Sequence, residues 1–216
     1  MSESEENMYL SKIVLNIEKE KVINAAVDAN KMHKLVMSMH SNVENDNARE
    51  TICVLYEMNT NGRNIVIIEQ STEAPDVKKL MEDNCVISYE TKKIDAVADA
   101  IKNERIFKVS VITEPYKKVK NKFSHNSRRK VLTDECEKAN WFIRKLEQNG
   151  CKVIDANICK TSTTICGKKN GRFVYHPSKC EAIIKITDEE TFKNALKNGI
   201  GSGKSYGMGM LKIYNF

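Results

Sequence analysis

No Cys-x-x-Cys pair occurs in this 216-residue chain, although seven cysteines are scattered through it at positions 53, 85, 136, 151, 159, 166 and 180. An odd, dispersed set fits neither a disulfide scaffold nor a zinc knuckle, so the thiols are expected to be reduced. A lone thiol among apolar residues, such as Cys53 in TICVLYEM, is expected in core packing rather than as a nucleophile. Long hydrophobic runs are missing as well. Nothing approaches the ~18 consecutive apolar residues of a membrane-spanning helix, and a hydrophobic fraction of 41% is ordinary for a globular protein. The opening MSESEEN is acidic and lacks the basic-then-apolar order of an export signal. A soluble, cytoplasmic protein without membrane association is expected.

Acidic residues are absent from two segments, 116–130 (YKKVKNKFSHNSRRK) and 156–180 (ANICKTSTTICGKKNGRFVYHPSKC), which together hold twelve Lys or Arg. With those set aside from the 35 basic residues, 23 remain against 29 acidic ones, so the rest of a chain of net charge +6 is net negative. Charge segregated in this way suits a polyanion-binding surface better than a uniformly solvated one.

Periodicity places a strand at 8–17, where Tyr9, Ser11, Ile13, Leu15 and Ile17 alternate with Leu10, Lys12, Val14 and Asn16. A helix should follow from Asp28 as N-cap, with Met32, Leu35, Val36 and Met39 as its apolar stripe. The runs 50–58 and 63–71, joined by NTNG, read as a hairpin. A short helix at 75–83 and a strand at 85–90 complete a βαββαβ unit. The second half repeats the pattern with a strand at 105–113, the basic stretch, and a helix whose cap begins at Thr133. Ala139, Phe142, Ile143 and Leu146 are its expected core face, and Gly150 its stop. A strand at 151–159, a protruding basic hairpin around Gly-Lys-Lys-Asn-Gly-Arg, a strand at 180–187, a helix from Asp188 and a closing strand at 210–216 follow. The expected fold class is α+β: two tandem ferredoxin-like (RRM-like) domains with antiparallel sheets, divided near 91–103.

Residues 199–209, GIGSGKSYGMG, form the pattern G-h-G-x5-G-h-G, with Ile200 and Met208 as h. Asn198 stands where a P-loop needs its first glycine, and Lys204 where a dinucleotide fingerprint needs its third. What remains is a flexible turn between helix and strand, or a loop presenting N–H groups to phosphates.

A glycine-rich loop of this pattern near the C-terminus resembles that of the repeat-associated RNA-binding superfamily of CRISPR proteins. MYLSK-x-x-L-N at 8–16, K-M-H-K-L at 31–35 and EKANWFIRKLEQNG at 137–150 resemble, more narrowly, the CasE-type repeat-processing endoribonuclease of the type I-E Cascade system. The resemblance runs from Met8 to the C-terminus and leaves residues 1–7 as an extension. It implies an N-terminal ferredoxin-like domain at 8–95 carrying a catalytic histidine, and a C-terminal one at 100–216 carrying the basic hairpin and the glycine-rich loop. It implies as partners the hairpin of CRISPR repeat RNA, as pre-crRNA and crRNA, and the other Cascade subunits. The implied reaction is metal-independent cleavage at the 3′ base of the stem, by attack of the 2′-OH to leave a 2′,3′-cyclic phosphate. No metal and no small-molecule cofactor are expected.

His33 corresponds to the family's catalytic histidine, on the first helix of the N-terminal domain. An imidazole has an unperturbed pKa of about 6.5, which suits proton transfer near neutrality. By position alone His33 equally fits a half-buried structural histidine bordering the apolar stripe. Relatives often carry a tyrosine three residues before it, where this chain has Asn30. Asn30, Lys31 and Lys34 are candidates for phosphate or transition-state support. His40, His125 and His176 read as surface residues, His125 with a possible RNA contact. For RNA binding the candidates are Lys117, Lys118, Lys120, Lys122, Arg128, Arg129 and Lys130 along the backbone, and Lys168, Lys169 and Arg172 at the hairpin tip. Gly201, Gly203 and Lys204 are the candidates in the glycine loop. The alternative is a non-catalytic subunit that holds the repeat hairpin. A metabolite-binding role for the glycine loop would leave the segregated charge unexplained.

Overall fold

The computed structural model describes residues 7–40, 51–62, 64–120, 127–160, 164–168 and 171–214. Its first unit comprises β1 (Tyr9–Asn16), α1 (Glu20–Ala26), α2 (Ala29–Met37), β2 (Leu55–Asn61), β3 (Asn64–Ser71), α3 (Lys78–Glu82) and β4 (Val86–Lys93). These strands form an antiparallel sheet in the order β2-β3-β1-β4. After α4 (Asp95–Ala100) come β5 (Ile106–Thr113), β6 (Tyr116–Lys120), β7 (Ser127–Val131), α5 (Glu135–Glu147) and β8 (Cys151–Lys160). The chain continues through β9 (Ile165–Lys168), β10 (Arg172–Tyr175), β11 (Ser178–Ile186), α6 (Glu189–Asn198), a 3-10 turn at Lys204–Tyr206 and β12 (Lys212–Tyr214). The second sheet is ordered β12-β5-β11-β8, also antiparallel. With the inserted ribbons set aside, both sheets have the order 4-1-3-2 of a βαββαβ unit, as the sequence periodicity predicts.

Each sheet carries its own core. Ile13, Leu15, Ile65 and Ile67 meet the buried faces of α1 and α2 in the first, and Phe107, Val109, Ile184 and Ile186 meet α5 and α6 in the second. Burial of such side chains stabilises by roughly 1.5–3 kcal/mol each, which is why the apolar stripes decide which helix faces turn inward. Met32, Leu35, Val36 and Met39 all face inward as expected.

Several elements differ from the sequence expectation. His33 lies on the second helix, because α1 precedes it. Lys19 gives α1 no side-chain cap, and its seven residues bury only Val22 and Ala25, so α1 carries little periodic signal. The run expected as a strand from residue 50 enters the sheet only at Leu55. Cys53 takes a left-handed φ of 49°, which turns the chain out of extended geometry just before it. The cap of α5 is Asp134, not Thr133: its Oδ1 accepts from the Glu137 amide at 2.9 Å. The inward face of α5 is Trp141, Phe142 and Leu146, whereas Ala139 and Ile143 are only half-buried, because Trp141 fills the space beside Phe142 at 5.2 Å between ring centroids. The basic stretch contains the two-stranded ribbon β6–β7. His40 is buried, not on the surface: its Nε2 meets Glu69 Oε1 at 2.7 Å in the first core. His176 is exposed as expected. Lys122, His125 and Lys169 lie outside the described residues.

The two units meet along a seam. Gln70 Nε2 donates to the Leu196 carbonyl at 2.8 Å, Lys212 Nζ pairs with Glu57 at 2.6 Å, and the Tyr56 hydroxyl donates to the Ser205 carbonyl at 3.0 Å.

Candidate functional site

Asp28 sets the start of α2, with its Oδ1 accepting from the amides of Asn30 at 2.9 Å and Lys31 at 3.4 Å. Those amides are the groups a helix N-terminus would offer to an anion. Here the chain's own carboxylate occupies them. One turn further on, His33 is rotated off the buried Met32 and emerges half-buried at the edge of the stripe. Lys31 and Lys34 are exposed and line, with Lys78 and Lys79, an open cleft of about 910 Å³ between α1, α2 and α3. The helix spacing of about 100° per residue turns both lysines away from the His33 side chain.

What faces His33 instead is the glycine-rich loop. The Tyr206 ring stands edge-on to the imidazole, with centroids 6.4 Å apart and planes at 77°. Tyr206 also stacks on Phe173 at 4.5 Å and 31°, and lies 6.0 Å from Tyr175, both on β10. Burial, then the nearby Tyr175 and Asp28, raise the Tyr206 pKa above the ordinary phenol value, so its hydroxyl stays protonated at neutral pH. Behind it, a mostly apolar cavity of about 310 Å³ is lined by Met32, Tyr56, Met58, Cys166 and Tyr206 among others.

Gly201 and Gly203, expected to serve phosphate approach, are also demanded by the fold, Gly203 by its left-handed φ of +77° and Gly201 by packing as well. At Gly201, with φ of +88°, an added Cβ would lie 2.4 Å from Thr113 Oγ1. Thr113 Oγ1 in turn donates to the Ser202 carbonyl at 3.2 Å and receives the Ser202 amide at 3.3 Å. The h residues Ile200 and Met208 are buried. Lys204 opens the 3-10 turn that carries Tyr206.

In the ribbon, β6 and β7 pair from Tyr116 opposite Val131 to Lys120 opposite Ser127. Lys118, Lys120, Arg128 and Lys130 are exposed, and among the described residues no ion pair holds them. Lys117 Nζ is 2.6 Å from Glu137 on α5. Arg129 has internal partners throughout. It lies 3.9 Å above the Tyr116 ring and 5.6 Å from Tyr175, pairs with Glu114 Oε2 at 3.4 Å, and donates to Ser202 Oγ. Glu114 is buried, and its Oε1 accepts from the His176 amide at 2.7 Å. One ion pair, buried only on its Glu114 side, thus ties together the ribbon, the base of the hairpin and the glycine loop.

The hairpin β9–β10 sets Lys168 opposite Arg172 at its outer end, both exposed. Its strand β9 rests on the corner between α1 and α2, where the Gly167 position lies against Phe173 and the Asp28 carboxylate and Cys166 meets the Val27 carbonyl. His33, the glycine loop, the hairpin and the ribbon therefore converge, the first from one unit and the rest from the other. Asn30 is half-buried beside Asp28. Sequence reasoning missed Tyr206, Phe173, Tyr175 and Glu114. Tyr206 sits among the unspecified positions of the glycine pattern, and only its place between two glycines singles it out. Among the described residues no three His, Cys, Asp or Glu side chains converge, so none can be named as a metal ligand.

The fold is similar to that of Thermus thermophilus Cse3 bound to an RNA representing a pre-cleavage complex, with a TM-score of 0.78, 20% identity and coverage of 97% of this chain and 100% of that one. It is similar also to Cas6e from Escherichia coli K-12, with a TM-score of 0.71, 17% identity and coverage of 96% and 100%. A chain of a CRISPR RNA-guided surveillance complex, pre-nicking, matches with a TM-score of 0.74, 16% identity and the same coverages. No curated protein matches the chain by sequence. The family described as CRISPR associated protein matches residues 8–214, essentially every residue that builds the two sheets and the site between them, and the chain belongs to that family.

Proposed function

We propose that the chain is a metal-independent endoribonuclease that holds the hairpin of CRISPR repeat RNA and cuts at the 3′ base of its stem. The observation that carries this reading is the convergence of a half-buried imidazole, His33, with three basic or glycine-rich elements suited to an RNA backbone. The similarity to the fold of an endoribonuclease bound to RNA supports it. An A-form major groove is too deep for ordinary side-chain readout, so a stem is held through phosphates, 2′-hydroxyls and shape. Lys118, Lys120, Arg128 and Lys130 follow the phosphates along one side, and the Lys168–Arg172 tip enters at the end of the helix. Lys117 and Lys204 extend the same surface.

In the reaction the substrate's own 2′-oxygen attacks the adjacent phosphorus in line. Its proton is taken up, the 5′-oxygen leaves with a proton, and a 2′,3′-cyclic phosphate remains. His33 carries one of these transfers, an effect worth about 10²–10⁴-fold in rate. Preorganised cations hold the charge of the phosphorane. The product hairpin stays on the basic surface, and the protein joins other Cascade subunits through it, as the likeness to a chain of a surveillance complex supports.

A second reading, a non-catalytic subunit that holds the hairpin, is favoured by the Asp28 carboxylate, which occupies the N-terminus of α2 close to His33 and repels a phosphate there. Wild-type and His33→Ala protein incubated with the host's repeat RNA in EDTA decide between them. Cleavage by wild type alone, to a cyclic phosphate, with the variant still binding RNA, supports the enzyme. Tight binding without cleavage by either protein establishes the holder.

A further inference from the structure

The aromatic cluster beside His33 is not explained by core packing alone. Phe173, Tyr175 and Tyr206 are each only half-buried, yet they stack on one another across two separate elements. The imidazole is the group Tyr206 leans against. We propose that Tyr206 is a positioning residue for His33, acting through its ring rather than its hydroxyl. The proposal rests on the reading of His33 as the proton-transfer residue.

An imidazole at the border of a helix stripe is free to rotate about its side-chain bonds unless something fills the space next to it. Edge-to-face contact at 6.4 Å and 77° lies in the favoured range for ring pairs and limits that rotation. Tyr206 can do this only if it is itself held, and the structure holds it through both its backbone and its ring. The 3-10 turn is bracketed by Gly203 and Gly207, both left-handed, and the Tyr206 amide donates to the Gly203 carbonyl at 2.8 Å. The preceding carbonyl, of Ser205, is bound by the Tyr56 hydroxyl of the other unit. Phe173 backs the ring at 4.5 Å, and Phe173 itself is seated over Gly167, where a side chain would collide with it. No residue of α2 other than His33 supplies a ring at this place: Asn30, one turn earlier, is bonded through its amide to Asp28. The ring contact on His33 is therefore made from the second unit across the seam, and separation of the units or loss of the ring would remove it.

Single-turnover cleavage of the host's repeat RNA by wild type, Tyr206→Ala and Tyr206→Phe tests this, together with RNA affinity and the ring-proton resonances of His33, assigned by their loss in His33→Ala. Misplacement of a reacting group by about 1 Å can cost roughly 100-fold, so Tyr206→Ala is expected to cleave roughly 10- to 100-fold more slowly with its affinity little changed. Tyr206→Phe, which keeps the ring, should recover most of that rate. In the free protein, the His33 resonances should move in Tyr206→Ala, where the ring current is lost, and stay near their wild-type positions in Tyr206→Phe. Wild-type rate in Tyr206→Ala overturns the proposal. So does a Tyr206→Phe variant as slow as Tyr206→Ala, which would assign the work to the hydroxyl. Unmoved His33 resonances in Tyr206→Ala would show that the ring contact is not formed, whatever the rates. Wild-type protein that binds RNA without cutting it overturns the positioning role along with the endoribonuclease reading, and is told apart by resonances that still respond to the loss of the ring.

Discussion

Arg129 and Lys118 stand opposite each other in the ribbon, and truncating each to alanine should give different results. Removal of the Arg129 side chain leaves Glu114, 3% exposed, with only the His176 amide to balance its charge. A hydrogen bond to a charged group is worth about 1.5–3 kcal/mol. Arg129 is 32% exposed, so water already screens the pair and the lower end applies. Loss of its stacking on Tyr116 adds about 0.5–1 kcal/mol. The sum, about 2 kcal/mol, corresponds to a fall in Tm of about 4–8 °C for a chain of this size. Lys118→Ala removes an exposed side chain with no ion pair among the described residues and should stay within about 0.5 kcal/mol of wild type. RNA binding separates the two in the opposite sense. If Lys118 contacts a phosphate, its loss flattens the slope of log affinity against log salt by about 1. Arg129→Ala should leave that slope near wild type, although affinity falls as the elements it ties together loosen. Thermal unfolding, with anisotropy titrations of the repeat RNA between about 50 and 200 mM salt, measures both quantities. Wild-type Tm in Arg129→Ala, together with a slope reduced as in Lys118→Ala, would refute the anchor and make Arg129 a phosphate contact.

Tyr56 has its pKa raised by burial and by nearby Tyr206, so its contribution to stability is complete below the ordinary phenol pKa of about 10 and declines as pH climbs above it. Alkaline unfolding monitored by circular dichroism should show a shallower loss of stability for Tyr56→Phe than for wild type; identical profiles would contradict the burial assigned to this phenol. Burial pushes the thiols of Cys151 and Cys180 up to about 12, whereas Cys136 is exposed. A thiol reagent at pH 8 should therefore modify Cys136 first and reach Cys151 and Cys180 only in denaturant, as peptide mapping would show. Labelling of Cys151 in the native protein would count against the second core as described.

The framework was legible because its signals are local. Alternation in β1, the NTNG turn, the Asp28 cap and the acidic start of the helix from Asp188 each depend on residues a few positions apart, and each reappears in the structure. α1 was not legible, having no cap and two buried side chains. The ribbon escaped for a different reason: β7 is exposed along its whole length, β6 half-buries only Tyr116 and Val119, and both carry lysines and arginines where a half-buried strand would alternate with apolar residues. At the site, His33 stood out through resemblance, whereas Tyr206 lies 173 positions further along the chain and meets it only through the tertiary fold. His40 misled because a buried histidine is tolerable only with a partner, and Glu69, 29 residues away, gives no sign of being that partner.

The charge segregation seen along the sequence becomes a spatial segregation because of strand topology. In the second sheet Ser178 pairs with both Thr113 and Lys160, and Lys212 pairs with Ser110. The end of β5, the end of β8, the start of β11 and the start of β12 thus lie at one end of the sheet. The ribbon follows β5, the hairpin joins β8 to β11, and the glycine loop leads into β12, so all three insertions emerge together. A βαββαβ unit with antiparallel neighbours brings these connections to the same side whatever their sequence, and a chain that loads them with lysine, arginine and glycine builds one continuous surface. The Glu114–Arg129 pair then sets their mutual positions, and the first unit needs to supply only one helix, α2, at the edge of that surface to place His33 there.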